Sequence, residues 1–442
     1  MKVAIEKVVY GGDGLARLHA DAEAHGGKSI FVPFTLPGEQ VEIDLDDSRS
    51  QKAARGYATG HLLRVEEASP LRTQPACPYF TQCGGCQLQH ATYAGQVDIK
   101  RNVLRETLER AAVKSLPKIS TVHGNPFHYR NRVRLHLQSQ PSFAIGYHAH
   151  NSHTLIDIAQ CPIAAPTLED CLHILRRLGT AGSIPDGLDE LELFSDAEGD
   201  AILLSAFTSR QDPRLLAECD KFFSALATEI PQITGAALFL RPSNHQAAPI
   251  PQVLLRRNAQ QLSYRVAAHT YRVSIGAFFQ VNQSLLEPFV HLVTNGWQGQ
   301  SAWDLYAGVG LFSRVLAEAF AHVTAVEVAP SAVDDLRTNL ADVNATIFPH
   351  STDDFLRYAL EERSVSPDLA LLDPPRAGLS KDGVNLLARC RPRAIVYVSC
   401  DPATLSRDLK ALIESGYRLD RLHMVDMFPQ TYHQETVAVL LR

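Results

Sequence analysis

Two residues of this 442-residue chain, Cys400 and Glu435, have the types and surroundings for covalent chemistry. Cys400 lies in Ser399-Cys400-Asp401-Pro402-Ala403-Thr404, between an apolar run over 394–398 that reads as a buried strand and a helix-like segment over 405–415. Open α/β sheets place ligands at the carboxyl ends of their strands. A helix N-terminus lowers the pKa of a nearby thiol, and the thiolate is the nucleophile. Glu435, in Tyr432-His433-Gln434-Glu435, opens the final strand, at the same sheet edge as Cys400 if strands and helices alternate. A nucleophile with a proton acceptor suits methylation at carbon 5 of a pyrimidine. The thiolate adds to carbon 6, which makes carbon 5 nucleophilic enough to take a methyl group. A base then removes the carbon 5 proton and the cysteine leaves. Most buried cysteines are inert, and Glu435 alone would read as an exposed loop residue, so the surrounding elements decide the matter.

Those elements spell out a nucleotide-binding sheet. Residues 301–306 read as a strand, Ala307-Gly308-Val309-Gly310 as a glycine turn, and Leu311, Phe312, Val315, Leu316 and Ala319 as one side of a helix. Asp304, Tyr306, Gly308 and Gly310 are therefore candidate cofactor-binding positions, because the glycines let backbone approach a ligand. Glu327, near the end of the next strand (322–328), is placed to accept from ribose hydroxyls. The Asp-x-x-x-Gly-x-Gly spacing lacks the third glycine of the dinucleotide fingerprint and favours S-adenosylmethionine over NAD.

Alternation continues through strands over 345–349, 368–372, 394–398, 418–428 and 435–441, with helices over 353–362 and 381–389. This pattern predicts a mostly parallel sheet. Two adjacent strands at the end suit the variant whose last strand runs antiparallel. Asp373-Pro374-Pro375-Arg376 ends the 368–372 strand. Enzymes that methylate exocyclic amines carry a similar Asp/Asn-Pro-Pro followed by an aromatic that stacks on the base. Arg376 in that place argues against amine methylation.

Cys77, Cys83 and Cys86 form a C-x5-C-x2-C group, and Cys161 could be a fourth ligand. Four thiolates hold either zinc or an iron–sulfur cluster, and the spacing does not choose. A radical enzyme would use C-x3-C-x2-C and leave one iron open. Cys171, Cys219 and Cys390 fall in helix-like apolar patterns and read as core.

The net charge of −6 counts against a nucleic-acid protein, but a local basic stretch exists in Tyr129-Arg130-Asn131-Arg132-Val133-Arg134. Alternation would place Arg130, Arg132 and Arg134 on one strand face away from any core, where phosphate contacts would be salt-dependent. The chain has 45% hydrophobic residues, enough for two or three cores, and no run of 18 apolar residues. Its start lacks the basic and apolar regions of a signal peptide. A monomeric cytoplasmic protein with no membrane partner and no disulfides among its eight cysteines is expected.

Five short strands over 3–9, 14–19, 29–32, 39–45 and 58–65, with turns at Gly11-Gly12-Asp13-Gly14 and Leu36-Pro37-Gly38-Glu39, predict an OB-like β-barrel over 1–65. Loops are expected over 21–27 and 46–51, a linker over 66–76 and a helix over 90–112. The expected units are thus 1–65, a mixed α+β unit over 66–275, and an α/β unit over 276–442.

With these residues in hand, the chain resembles the RNA 5-methyluridine methyltransferase family over nearly its whole length, most of all the bacterial 23S ribosomal RNA branch. Ser399-Cys400-Asp401-Pro402-Ala403-Thr404 is similar to the nucleophile motif, although the family more often has Asn at the place of Asp401. His433-Gln434-Glu435 is similar to the base motif. Phe278-Phe279-Gln280-Val281-Asn282 and Leu371-Leu372-Asp373-Pro374-Pro375-Arg376 are similar to two further active-site segments. The resemblance implies a Rossmann-like class I methyltransferase domain, an N-terminal TRAM domain, S-adenosylmethionine, and a [4Fe–4S] cluster on Cys77, Cys83, Cys86 and Cys161. It also implies cofactor contacts from Gln280 and Asp373, and an adenine contact from Asp353 or Thr352. It implies RNA contacts from Arg130, Arg132 and Arg134, and that the helix over 90–112 packs on the catalytic domain. Ribosomal RNA is the expected substrate. Transfer RNA uridine methylation, exocyclic-amine methylation and a non-catalytic RNA-binding assembly role are the alternatives.

Overall fold

The computed structural model describes residues 1–17, 29–45, 57–113, 115–241, 252–362 and 366–442. The loops expected over 21–27 and 46–51 lie outside the described residues, as does the end of the strand expected over 14–19.

Among the described residues the N-terminal sheet has six strands rather than five: β1 (Lys2–Ala4), β2 (Lys7–Val8), β3 (Gly14–Arg17), β4 (Ser29–Val32), β5 (Gln40–Leu45) and β6 (Tyr57–Glu67). Their order is β1-β5-β6-β4-β3-β2. The run expected as one strand over 3–9 splits because its partners change. Ile5 N–H donates to the Glu39 carbonyl, whereas Glu6 N–H donates to the Leu15 carbonyl. Val3, Ile5, Ala16, Ile30, Val32, Val41 and Ile43 fill a small core of its own.

Helix α1 (Tyr93–Arg110) begins at Thr92, whose hydroxyl accepts from Gly95 N–H. It and strand β7 (Ile119–Val122) belong to the C-terminal layers, not to the middle of the molecule. Val97, Leu104 and Leu108 of α1 share a buried cluster with Ile395, Tyr397, Leu405 and Leu409. β7 pairs in parallel with a strand three hundred residues later.

The central unit is a seven-stranded sheet. It contains β8 (Arg132–Gln138), β9 (Ala144–His148), β10 (Leu155–Asp157), β11 (Glu190–Ser195), β12 (Ile202–Thr208), β13 (Ile233–Leu240) and β14 (Gln252–Asn258), in the order β10-β9-β8-β11-β12-β13-β14. Helices α2 (Pro166–Thr180) and α3 (Pro213–Glu229) cover it, and Cys171 and Cys219 are buried there as expected. The following hairpin, β15 (Gln261–Val266) and β16 (His269–Ser274), corrects the expected boundary at 275. It buries Leu262, Tyr264, Val266, Tyr271 and Val273 in the C-terminal core.

The C-terminal unit runs α4 (Gln283–Thr294), β17 (Gly299–Leu305), α5 (Leu311–Leu316), β18 (Phe320–Val326), α6 (Pro330–Asn339), β19 (Ala345–Phe348), α7 (Thr352–Glu361), β20 (Leu369–Leu372), α8 (Lys381–Cys390), β21 (Ala394–Ser399), α9 (Pro402–Glu414), β22 (Arg418–Val425) and β23 (Glu435–Leu441). The strand order is β19-β18-β17-β20-β21-β23-β22-β7, and β23 runs antiparallel to both its neighbours. Strand β20 and residues 394–398 and 437–441 of β21 and β23 read as unbroken apolar runs because both sheet faces are covered.

Candidate active site

The glycine loop forms where β17 ends. Tyr306, Gly308 and Gly310 all have positive φ (68°, 56° and 91°). The two glycines do different work. A Cβ at Gly310 would stand 2.7 Å from Leu336, so this position is needed for packing. A Cβ at Gly308 would meet nothing within 4 Å, so this position faces open space where a ligand could approach. Gly308 N–H donates to Glu327 Oε2 at 2.9 Å, and Glu327 Oε1 accepts from Val328 and Ala329 N–H at 2.8 and 2.7 Å. Glu327 therefore sits just past β18 with its carboxylate fixed to the loop.

A cavity of about 490 Å³ opens beside this loop, lined by Tyr306, Glu327, Thr352 and Asp353 among others. Ser351 caps α7, which puts Thr352 and Asp353 in its first turn. Thr352 is buried, and Asp353 accepts from the Ser380 hydroxyl at 2.7 Å.

Asp304 lies behind the loop. It is fully buried, one carboxylate oxygen accepts from the Ser313 hydroxyl, and the other has no partner. Burial pushes its carboxyl up to about 7. Asp373, just past the adjacent strand β20, is also pushed up to about 7 by burial and then by the charge of Asp304. Gln280 is buried where the chain crosses to the central sheet, and its carbonyl accepts from Asn131 Nδ2 at 3.3 Å.

The register of β21 against β23 pairs Ser399 with Thr436. Cys400 and Glu435 extend that antiparallel pair by one residue each and so meet at the carboxyl edge of the sheet. Their charges interact, and Glu435 follows burial among the causes that push the Cys400 thiol up to about 12. This corrects the expectation of a thiol lowered by a helix N-terminus. Asp401 stands between Cys400 and α9, and its Oδ1 accepts the free N–H groups of Ala403 and Thr404 at 2.9 Å each. The helix end is satisfied by Asp401, and burial decides the thiol's pKa. Glu435 is buried with Oε2 unpartnered, and burial followed by Asp373 raises its carboxyl well above the usual range.

Arg376 is the residue that pattern-reading undervalued. Its charge opposes the rise at both Cys400 and Glu435. Its guanidinium lies 3.4 Å from His433 Nε2. Burial, and then Arg376, push His433 down to about 4, which leaves the imidazole neutral. The Asp-Pro-Pro-Arg stretch could have flagged it as a cation at the strand end.

A second cavity, of about 600 Å³, is lined by Cys77, Cys83, Cys86 and Cys161 together with Arg130, Arg134, Arg376, Tyr432 and His433. The four cysteines and the basic strand, separate in sequence, thus face one space that reaches the active-site loop. Burial raises all four thiols, Cys161 to about 11, and the charge of Cys161 adds to the rise at Cys86 as that of Cys83 does at Cys161. Among the described residues, no three His, Cys, Asp or Glu side chains are drawn close enough to hold a metal ion. The donor set is nonetheless all thiol and lines one cavity, which fits a thiolate-bound centre.

The basic strand is only partly a solvated face. Arg132 lies with its guanidinium 3.9 Å above the Phe194 ring and donates to the Ala277 carbonyl at 2.8 Å. Alternation put it opposite Val133 correctly, but the segment before α4 covers that side. Arg134 is half exposed and pairs with Glu192 at 3.0 Å. Arg130 precedes β8 and donates to the Arg132 carbonyl at 2.9 Å.

Among the described residues, no helix is long and apolar enough to cross a membrane. A family model described as tRNA (Uracil-5-)-methyltransferase matches residues 252–442. A relative from Pectobacterium atrosepticum, named 23S rRNA (uracil(1939)-C(5))-methyltransferase RlmD, is 34% identical across 97% of this chain and 91% of its own length. An uncharacterized RNA methyltransferase from Aquifex aeolicus is 31% identical across 100% of this chain and 98% of its own. In fold, the chain is similar to the Pyrococcus abyssi tRNA (uracil-54, C5)-methyltransferase solved with S-adenosyl-L-homocysteine. The TM-score is 0.74 at 24% identity, and all of both chains is covered. The glycine loop, the Cys400–Glu435 pair and full-length identity above 30% agree: this chain belongs to the RNA uracil-C5 methyltransferase family.

Proposed function

We propose that this enzyme methylates carbon 5 of a uridine in 23S ribosomal RNA, with Cys400 as nucleophile and Glu435 as the base that releases the product. The observation that carries this reading is the Ser399–Thr436 register, which sets Cys400 against Glu435 at the sheet's carboxyl edge. S-adenosylmethionine supplies the methyl group. Tyr306, Gly308 and Glu327 around the loop, Asp353 in the adjoining cavity, and Gln280 and Asp373 toward Cys400 are read as its contacts, with Asp304 and Gly310 shaping the loop from behind. Cys400 forms a bond to carbon 6 of the uracil, and the electron pair moves to carbon 5 and the 4-carbonyl oxygen. After carbon 5 is methylated, Glu435 takes its proton, the ring double bond re-forms and the Cys400–carbon 6 bond breaks. A carboxyl held well above its usual range is a stronger base once ionised, which suits this proton. Arg376 offsets part of the cost of charge at both groups.

The N-terminal sheet is read as a TRAM-type OB-like barrel, and Arg130 and Arg134 as RNA-facing, with Arg132 holding the strand from its covered side. The unit boundary near 65 is kept for the N-terminal module, and α1, β7 and the β15–β16 hairpin are assigned to the catalytic layers. The 23S assignment follows the names of full-length relatives. The description of the family model favours transfer RNA as the second reading. Incubating the enzyme with labelled cofactor and separate unmodified 23S and transfer RNA tests the choice. Label in 5-methyluridine of 23S RNA alone is expected, and label in transfer RNA alone would reverse it.

Cys77, Cys83, Cys86 and Cys161 are proposed to ligate a [4Fe–4S] cluster with a structural role. Anaerobically purified protein is then brown, with absorption near roughly 400 nm, and substitution of any of the four removes the colour. A colourless protein with one bound zinc would replace the cluster with a zinc site.

A further inference from the structure

One side chain of the N-terminal unit, Tyr10, reaches the loop that holds Cys400. Tyr10 sits in the turn between β2 and β3, closed by Val9 N–H to the Asp13 carbonyl at 2.9 Å and Gly12 N–H to the Val9 carbonyl at 3.0 Å. Gly12 has φ +93°, and a Cβ there would stand 2.8 Å from Gln87 Cβ. The turn is therefore pressed onto the segment that follows Cys86, as only glycine allows. From this position the Tyr10 hydroxyl donates to Asp401 Oδ2 at 3.1 Å, and its ring meets Tyr432 edge-on with centroids 5.3 Å apart.

Both contacts lead to the reacting groups. Asp401 caps α9 with its other oxygen, and its own N–H donates to the Ser399 hydroxyl at 3.2 Å. Cys400 is the residue between those two anchors. Tyr432 packs on His433 with centroids 4.0 Å apart, two residues before Glu435. The docking of the sheet does not hang on this hydroxyl. Val8 and Leu36 share a buried cluster with Leu88 and Ile99, and Lys7 pairs with Glu106 of α1. The Tyr10 hydroxyl thus adds little to adhesion and much to the rotation of one short loop.

Resting on the reading of Cys400 as nucleophile, we propose that Tyr10 is a positioning residue for the reaction: from the N-terminal sheet it fixes the loop of residues 399–401 and the Tyr432 ring, so the site is complete only with that sheet docked. Burial and the Asp401 carboxylate hold the Tyr10 phenol protonated, well above its usual range, so it remains a donor at any working pH. At 3.1 Å the bond is longer than the short charge-assisted kind, so its part is to orient the loop rather than to bind it tightly.

The test is the rate at which the full chain forms a denaturation-resistant adduct with RNA carrying 5-fluorouridine, measured in single turnover at saturating RNA and cofactor. Tyr10→Phe keeps the ring and loses only the hydroxyl. It is expected to slow adduct formation by roughly fivefold, the size of one ordinary hydrogen bond, with RNA affinity and unfolding temperature unchanged. In a double-mutant cycle with Asp401→Ala, Tyr10→Phe is expected to have little further effect, because its acceptor is already gone. An adduct rate for Tyr10→Phe equal to wild type overturns the proposal. So does an effect confined to RNA affinity, which would make Tyr10 an RNA contact, or a fully additive cycle. Failure of the wild-type chain itself to form an adduct would remove Cys400 from its role, and the positioning role with it.

Discussion

Lys100 of α1 and Asp426, just past β22, form a buried ion pair at 2.6 Å, with side chains 2% and 0% exposed. Lys100 also donates to the Phe428 carbonyl at 2.9 Å, so one ammonium group ties the helix to the loop that leads to Glu435. Burial pulls the lysine pKa down and the Asp426 carboxylate holds it up. Lys100→Met leaves a buried carboxylate unpaired, and a loss of about 3–5 kcal/mol is expected. Thermal unfolding checks it. Lys100→Met/Asp426→Leu should recover much of the loss, and equal damage in single and double variants would contradict the account.

The Cys400 thiol, pushed up to about 12, should react slowly with iodoacetamide near neutrality. Its alkylation, read by mass spectrometry of the peptide containing it, should rise about tenfold per pH unit from 7 to 10 without a plateau, because only the thiolate reacts. Arg376→Ala removes a cation that lowers this pKa and should slow alkylation at fixed pH. A plateau below pH 9 would show a thiol that is already activated.

Much of this site was legible in residue order. The β17–Gly308–Gly310–α5 segment, the β20 run ending at Asp373 and the β21 run ending at Cys400 are local patterns, and strands buried on both faces advertise themselves as apolar runs. What periodicity could not give is non-local. No pattern in Ile119–Val122 says that it pairs beside β22, and none in Leu104 or Leu108 says which sheet they cover. The same limit explains Arg132, whose outward face is covered by Phe194, and Cys400, whose pKa follows burial and Glu435 rather than the helix beside it. The convergence of the four cysteines with Arg130 and Arg376 on one cavity is likewise a property of the folded chain.

Asp304 makes stability depend on pH in a definite direction. Its folded pKa, about 7, lies above the ordinary value of 3.8, so the folded chain holds this proton more tightly than the unfolded chain. That contribution is fully present below about pH 4 and is lost as pH rises through about 7. Asp304→Asn cannot ionise, so without ligand it should unfold at a higher temperature than wild type at pH 8, with the gap shrinking toward pH 4. A gap independent of pH would assign the effect to packing.

Arg132 and Arg134 should separate on substitution. Arg132→Ala loses the Phe194 contact and the Ala277 hydrogen bond, and a destabilisation of roughly 1–3 kcal/mol is expected. Arg130→Ala/Arg134→Ala should fold normally, weaken RNA binding and reduce its salt slope by roughly one per lost contact. Cofactor affinity should not change. Wild-type RNA binding at moderate salt by the double variant would leave this strand without a role in RNA recognition.

The most direct test of the central claim, that Cys400 and Glu435 divide nucleophilic addition and release between them, is denaturing electrophoresis of the enzyme with RNA and cofactor. With ordinary RNA, Glu435→Gln should accumulate a covalent protein–RNA adduct that already carries the methyl group, because the carbon 5 proton cannot be removed. Peptide mapping should place the bond on Cys400. Cys400→Ala should form no adduct and no product while still binding S-adenosylmethionine. Free methylated RNA released at the wild-type rate by Glu435→Gln, or methyl transfer by Cys400→Ala, would contradict the account.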